Sequence, residues 1–341
     1  MLDLKSMTKK ELEGSFLSMG EKRFRGKQVF RWMYKGVTDF AQMTDLPEDL
    51  RKKLEEHAFL ETVSINRVQR SVKDETRKYL FQLRDGKTVE GVFMKYQYGN
   101  SACISTQAGC RMGCVFCASG INGLERNLTA GEMAEEILAM ERDTGERISH
   151  VVLMGTGEPL DNYEQVAVFL NNVHEPDGLN LSWRAITVST CGLVPQIRRF
   201  GKEFPQVNLA ISLHAADDET RSALLPVNRK YAMKELLEAC RQHTEETGRR
   251  ITFEYTLIRG VNDTKKEADQ LAGCLRGMLC HVNLIPLNTV SEKAYRGTDR
   301  KAAQVFCRML EERGIPATVR RELGSDIDAA CGQLRLGRET I

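Results

Sequence analysis

The sequence predicts an α/β protein in which a parallel sheet, closed or partly closed into a barrel, follows a small helical N-terminal domain and a β extension. Two observations carry this prediction. Beyond residue 117, apolar runs at HVVLM (150–154), AITVST (185–190), VNLAISL (207–213), ITFEYTL (251–257), HVNLIPL (281–287) and PATVRR (316–321) alternate with helical stretches. Such alternation builds parallel sheets whose sites lie at the carboxyl ends of the strands. The 341 residues also suit one barrel of roughly 250 residues with additions.

The elements follow in order. From Lys9 to about Leu60 the segments KKELEGSFLSMG, EKRFRGKQVFRWMYKG and DLPEDLRKKLEEHA carry helical periodicity, separated by glycine or Asp-Leu-Pro. Residues 1–60 therefore read as a helical accessory domain. TVSINRVQRSV, RKYLFQLR and TVEGVFMKY, within 61–95, are β-rich, and Asp85-Gly86 supplies a hairpin turn. The barrel is expected over 96–321, with a first strand leading into the cysteines. One of its helices opens with a capping box, Thr129 to Glu132. Residues 322–341 form a C-terminal tail.

Composition narrows the class. With 41% hydrophobic and 28% charged residues the chain is neither disordered nor repetitive. The start MLDLKSMTKKELEG has no apolar core of a leader, and no run of eighteen apolar residues occurs. The expectation is a cytoplasmic monomer without membrane association. In that reducing compartment ten cysteines point to metal or thiol chemistry and not to a disulfide framework. A net charge of only +2 means that a nucleic-acid partner must be held by local basic patches.

The stretch CISTQAGCRMGCVFCASG, residues 103–120, holds Cys110, Cys114 and Cys117 as C-x3-C-x2-C, with Cys103 upstream. A cubane iron-sulfur cluster takes one thiolate per iron, so three close cysteines leave one iron open to chelate a substrate. Zinc competes, because each gap is within zinc-ligand range. Its fourth ligand is what is missing: His150 lies far downstream, and Cys240 with His243 falls in an amphipathic helix. The other strand-end positions are Gly155 to Pro159, Ser189 to Gly192, Ser212 to His214, and Asn288.

C-x3-C-x2-C with Phe116 before the third cysteine, at the end of a first barrel strand, resembles the radical S-adenosylmethionine superfamily. CISTQAGC, GTGEPLDN, VSTCG, LAISLHA, LLPVNRKY, HVNLIPLN and GSDIDAACGQL resemble the bacterial 23S ribosomal RNA adenine-C2 methyltransferases, some of which also act on tRNA. The resemblance implies a partial (β/α)6 barrel and a [4Fe-4S] cluster held by Cys110, Cys114 and Cys117. It implies S-adenosylmethionine contacts at Gly157, Glu158, Ser189, Ser212, Leu213, His214 and Asn288, with two S-adenosylmethionine molecules used per turnover. For Ser189 and Ser212 the competing role is to cap the helices that follow their strands.

Adenine C2 is electron-poor and cannot attack a sulfonium methyl, so a radical route is needed. By the family's mechanism Cys331 is methylated, the methyl is activated by hydrogen abstraction, and the methylene adds to C2. Cys103 then resolves the adduct by thiol-disulfide exchange. Glu90 matches the family's proton acceptor, against the alternative of an exposed strand carboxylate. The tail GSDIDAACG could swing the Cys331 thiol inward. Cys191, Cys240, Cys274, Cys280 and Cys307 read as small buried hydrophobes. Thr156 and Cys191 depart from the commonest family spelling without removing a chemical group.

The implied partners are 23S ribosomal RNA, tRNA, an electron donor such as flavodoxin or ferredoxin, and a thiol reductant. Lys22, Arg23, Arg25, Lys27, Arg31 and Lys35 face one acid, Glu21, with Phe24, Phe30, Trp32 and Tyr34 interleaved. The aromatics are expected mostly in the core and the cations mostly on RNA, with the target adenine extruded from its stack. The related adenine-C8 methyltransferases, and a non-catalytic zinc or iron-sulfur RNA-binding module, are the rival readings.

Overall fold

A computed structural model describes residues 1–60, 62–288, 295–329 and 332–334. Three helices, α1 (Lys9–Ser18), α2 (Arg23–Tyr34) and α3 (Glu48–His57), open the chain. α1 begins in a capping box: Glu11 N donates to Thr8 Oγ1, and Thr8 N donates to the Glu11 carboxylate, which satisfies two amides otherwise without helical partners. α1 and α2 approach closely at Gly26, where an added Cβ would lie 2.7 Å from Glu13 N. Leu12, Phe16, Val29, Phe30, Met33, Leu50 and Leu54 join one apolar cluster with the barrel core.

Ten of the strands form one sheet, and a two-residue pair, Leu2–Asp3 with Ala58–Phe59, lies apart in the helical region. β1 (Val63–Arg70), β2 (Arg77–Leu83), β3 (Thr88–Tyr96) and β4 (Gly99–Cys103) make an antiparallel meander. β4 then pairs parallel with the strand Ile148–Leu153, so the β extension and the barrel share a continuous sheet. Between them, β5 (Gln107–Gly109) and β6 (Leu124–Asn127) form a separate small hairpin. After α4 (Ala130–Thr144) come β7 (Ile148–Leu153), α5 (Tyr163–His174), β8 (Ile186–Thr190), α6 (Val194–Glu203), β9 (Asn208–Ser212), α7 (Asp218–Leu224) and α8 (Met233–Thr247). β10 (Ile251–Leu257), α9 (Lys265–Leu275), β11 (Cys280–Pro286), α10 (Arg300–Glu311) and β12 (Ala317–Val319) complete the order.

The sheet runs β12-β11-β10-β9-β8-β7-β4-β3-β2-β1, and every pair from β4 to β12 is parallel. The fold is thus a partial barrel of the expected kind, and all six apolar runs are strands. β4 heads the parallel set as a seventh. Parallel strands are covered on both faces, as β10 shows: Ile251, Phe253, Tyr255 and Leu257 on one face and Glu254 and Thr256 on the other are buried. The common strand direction brings Gly155, Ser189, Ser212 and Asn288 to one edge. No helix among the described residues is long and apolar enough to cross a membrane.

Candidate active site

The cysteine loop is a closed turn held at both ends. The β5–β6 hairpin pinches it where Gly109, at φ 78°, faces Gly123; an added Cβ would lie 2.0 Å from the Gly123 carbonyl oxygen, which only glycine avoids. Cys110 N donates to Gly123 O at 2.9 Å, and Val115 N to Leu224 O of α7 at 3.0 Å. Cys110, Cys114 and Cys117 line one cavity at the barrel mouth. Burial pushes Cys110 up to about 12 and Cys114 higher still, with neighbouring thiols adding to both.

Gly157, Glu158, Ser189, Ser212, His214 and Asn288 line the same cavity. Gly157, at φ 114°, would place a Cβ 2.7 Å from Gln107 Cβ and 2.8 Å from Thr106 Oγ1, so the protein's own packing demands glycine here. Both Glu158 carboxylate oxygens already accept backbone amides, Leu160 N at 3.0 Å and Cys191 N at 2.8 Å, while burial raises its pKa. The Thr190 and Cys191 side chains also hydrogen-bond to this carboxylate. Neither serine caps a helix: α6 starts after Leu193 without a side-chain cap, and α7 is capped by Asp217.

His214 accepts Thr256 N at Nδ1 (3.0 Å), which leaves Nε2 as the protonated nitrogen of a neutral ring. Leu213 turns its side chain away from this cavity. Its side chain is fully buried in the main core and does not line the cavity, because successive strand residues face opposite sides.

A second cavity adjoins the first, sharing Met154, Ile285, Asn288 and Arg320 with it. Cys103, at the end of β4, lines it with Val92, Met94, Ala329 and Leu334. Glu90 lies two residues before Val92 on the same face of β3. It is 7% exposed and paired with Lys78 (Nζ to Oε1, 2.9 Å), so it is a buried ion-pair member and not an exposed strand carboxylate.

Cys331 lies outside the described residues, as do residues 335–341 of the expected tail. The chain on either side of Cys331 is anchored. Gly332 lines the first cavity and its carbonyl accepts Ala118 N at 2.8 Å; the Leu334 carbonyl accepts Ser119 Oγ at 2.7 Å. Upstream, the β1–β2 turn clasps the tail. Asp326 accepts Ser71 Oγ and Val72 N, Asp74 accepts Gly324 N, and Lys78 donates to the Asp328 carbonyl at 3.2 Å.

Comparison with known proteins places this architecture. Residues 2–60 match the model of the ribosomal RNA large subunit methyltransferase N-terminal domain, and residues 104–272 that of the radical SAM superfamily. A probable dual-specificity RNA methyltransferase RlmN of Thermoanaerobacter sp. (strain X514) is 52% identical over 98% of each chain. That of Alkaliphilus oremlandii is 54% identical over 98% of this chain and 97% of its own. The chain belongs to the RlmN family of radical SAM RNA methyltransferases. The crystal structure of a radical SAM methyltransferase from Sphaerobacter thermophilus superposes with a TM-score of 0.94, at 46% identity over 98% of this chain and 99% of that one.

Membership of the RlmN family implies S-adenosylmethionine and a [4Fe-4S] cluster, and the donor set fits the cluster. Three thiols ring one cavity, and burial raises those of Cys110 and Cys114, so that a cationic partner is what would hold these two as thiolates. Among the described residues no three Cys, His, Asp or Glu side chains converge on a point that could hold a single metal ion, whereas a cubane takes each thiolate at a different iron.

In the helical region that matches the RlmN-type N-terminal domain, Phe30 and Tyr34 are buried as expected, while Phe24 is half exposed. Several cations are already partnered: Arg23 pairs with Glu13, and Lys27 and Arg31 both reach Asp177. These pairs are surface-exposed and worth little individually.

The sequence reading passed over several residues that line the site. Glu254, held by Asn283 Nδ2 at 2.8 Å, stands in the first cavity with Arg320 and Cys191. A single acid inside ITFEYTL was the available signal for Glu254. Cys191, expected as filler, lies on the cavity wall; Cys240 and Cys280 are buried as expected.

Proposed function

We propose that this enzyme methylates C2 of an adenine in 23S ribosomal RNA at the peptidyl-transferase centre, and C2 of an adenine in the tRNA anticodon loop. It works in the cytoplasm with an electron donor of the flavodoxin or ferredoxin class and a thiol reductant. One observation carries the reading: the cavity holding the cysteine triplet shares a wall with the one containing Cys103, and the chain flanking Cys331 is anchored at their junction. When bound, the cluster and S-adenosylmethionine together supply the radical that activates a methyl group.

The chain's own residues do the rest. Cys110, Cys114 and Cys117 hold three irons and leave the fourth open. Glu158 turns its carboxylate to the ammonium of S-adenosylmethionine, while Ser189, Ser212 and Asn288 offer hydroxyl and amide groups, and Gly157, Leu213 and His214 contribute through their backbone. Cys331 carries the methyl and becomes bonded through it to C2. Glu90 accepts the C2 proton. The Cys103 thiolate attacks the Cys331 sulfur, and the methylene carbon keeps the electron pair of the broken C–S bond and takes up a proton, which releases the methylated base and leaves a Cys103–Cys331 disulfide for the reductant.

Exposed Arg300 and Arg321 border the second cavity, where an extruded adenine and its phosphates would enter. Mass mapping of RNA fragments modified by the anaerobically purified enzyme tests the proposal. A methyl at adenine C2 in both RNAs is expected. A methyl at C8 would assign the chain to the resistance-conferring branch, and no transfer would leave an RNA-binding module.

A further inference from the structure

Arg221 is completely buried, in the last turn of α7. Its guanidinium donates to four neutral acceptors: the carbonyls of Leu213 (3.2 Å), Ser212 (3.2 Å) and Cys191 (2.7 Å), and Asn228 Oδ1 (2.8 Å). Among the described residues it forms no ion pair with a carboxylate. Two acids reach it only through intermediaries, Glu158 across the Cys191 peptide and Asp218 across the Asn228 amide. A buried charge left in this condition is costly, and proteins retain one only where something compensates it.

The compensation lies on the side of the cysteine loop. Arg221 is three residues before Leu224, whose carbonyl holds Val115 N in the middle of the C-x3-C-x2-C loop. Leu224, Leu225 and Cys191 pack in one small cluster with Phe116, Cys114 and Cys117. Three thiolates on a dicationic cubane core leave a net charge of minus one, and reduction by one electron makes it minus two.

We infer that Arg221 is the built-in counter-ion of the iron-sulfur cluster, a positioning residue that stabilises the reduced form while tying the ends of β8 and β9 to the cysteine loop. The inference rests on the cluster reading above. It assigns Arg221 no contact with substrate.

The test compares the wild-type chain with R221K and R221Q after anaerobic reconstitution, measuring iron and sulfide per chain and the one-electron midpoint potential by EPR-monitored titration without S-adenosylmethionine. R221K is expected to hold a full cluster at the wild-type potential. R221Q, which keeps hydrogen-bond donors but loses the charge, is expected to shift the potential to more negative values, and its melting temperature should rise less on cluster uptake than that of the wild type. A full cluster at unchanged potential in R221Q would make Arg221 a mere strut and overturn the inference. Should R221Q not fold, R221K decides alone: full iron at a displaced potential would show that hydrogen-bond geometry matters and charge does not. A wild-type chain that takes up no iron fails the cluster reading itself, a distinct result.

Discussion

Lys78 Nζ lies 2.9 Å from Glu90 Oε1 with both side chains buried, and the same ammonium donates to the Asp328 carbonyl at 3.2 Å. One cation thus ties the proposed proton acceptor to the tail three residues before Cys331. Removing one member of a buried pair strands the other, at a cost of about 3–5 kcal/mol. K78M is expected to lose that much stability in chemical denaturation, and K78M/E90L to recover most of it. Additive losses in the double variant would show that the pair is not coupled.

Gly157→Ala is expected to destabilise by roughly 1–3 kcal/mol, since alanine at φ 114° is strained and its Cβ would collide with Gln107 and Thr106. The neighbouring Glu158 would be displaced with it. Thermal melts and S-adenosylmethionine affinity should both fall; an unchanged affinity would separate Glu158 from the ligand.

Ser189→Ala and Ser212→Ala test the opposite pattern. Neither serine caps a helix, so the melting temperature should hold. Loss of one neutral hydrogen bond, about 1 kcal/mol, should weaken S-adenosylmethionine binding about fivefold in calorimetry. A lower melting temperature at undiminished affinity would return both serines to a structural role.

How much of this site was legible in the sequence depended on periodicity and spacing. The six apolar runs became strands because burial on both faces makes parallel strands read as continuous hydrophobic segments. β4 was expected only as a first strand leading into the cysteines, without bounds: GNSAC is short and polar, and its place is fixed by pairing with β3 and β7. The triplet Cys110, Cys114 and Cys117 was visible as spacing. Lys78 and Arg221 were not, because a cation beside Arg77 in RKYLFQLR, or a single one in DETRSAL, looks solvated until the fold closes over it. The burial of the Leu213 side chain was not legible either, because a motif names a stretch, whereas the pleat sends alternate side chains into the core.

His214 gives a pH dependence. Burial, with the Arg221 charge adding to it, pushes its pKa from 6.5 down to about 3. Below pH 6.5 the unfolded chain takes up a proton that the folded protein refuses. The contribution of His214 is therefore complete above pH 6.5 and is lost as pH falls toward 3, by about 1.4 kcal/mol per unit. In H214N the slope of unfolding free energy against pH between 4 and 6 should be shallower by about one proton. An unchanged slope would mean that the ring is protonated in the folded state.

Peptide-resolved mass measurement of the anaerobically purified enzyme bears on the whole chemical scheme. The fragment containing Cys331 should carry the added mass of one methylene, absent in C331A, and C103A should accumulate RNA bonded to Cys331. An active wild-type enzyme with an unmodified Cys331 fragment, or a C331A variant that still methylates RNA, would contradict it.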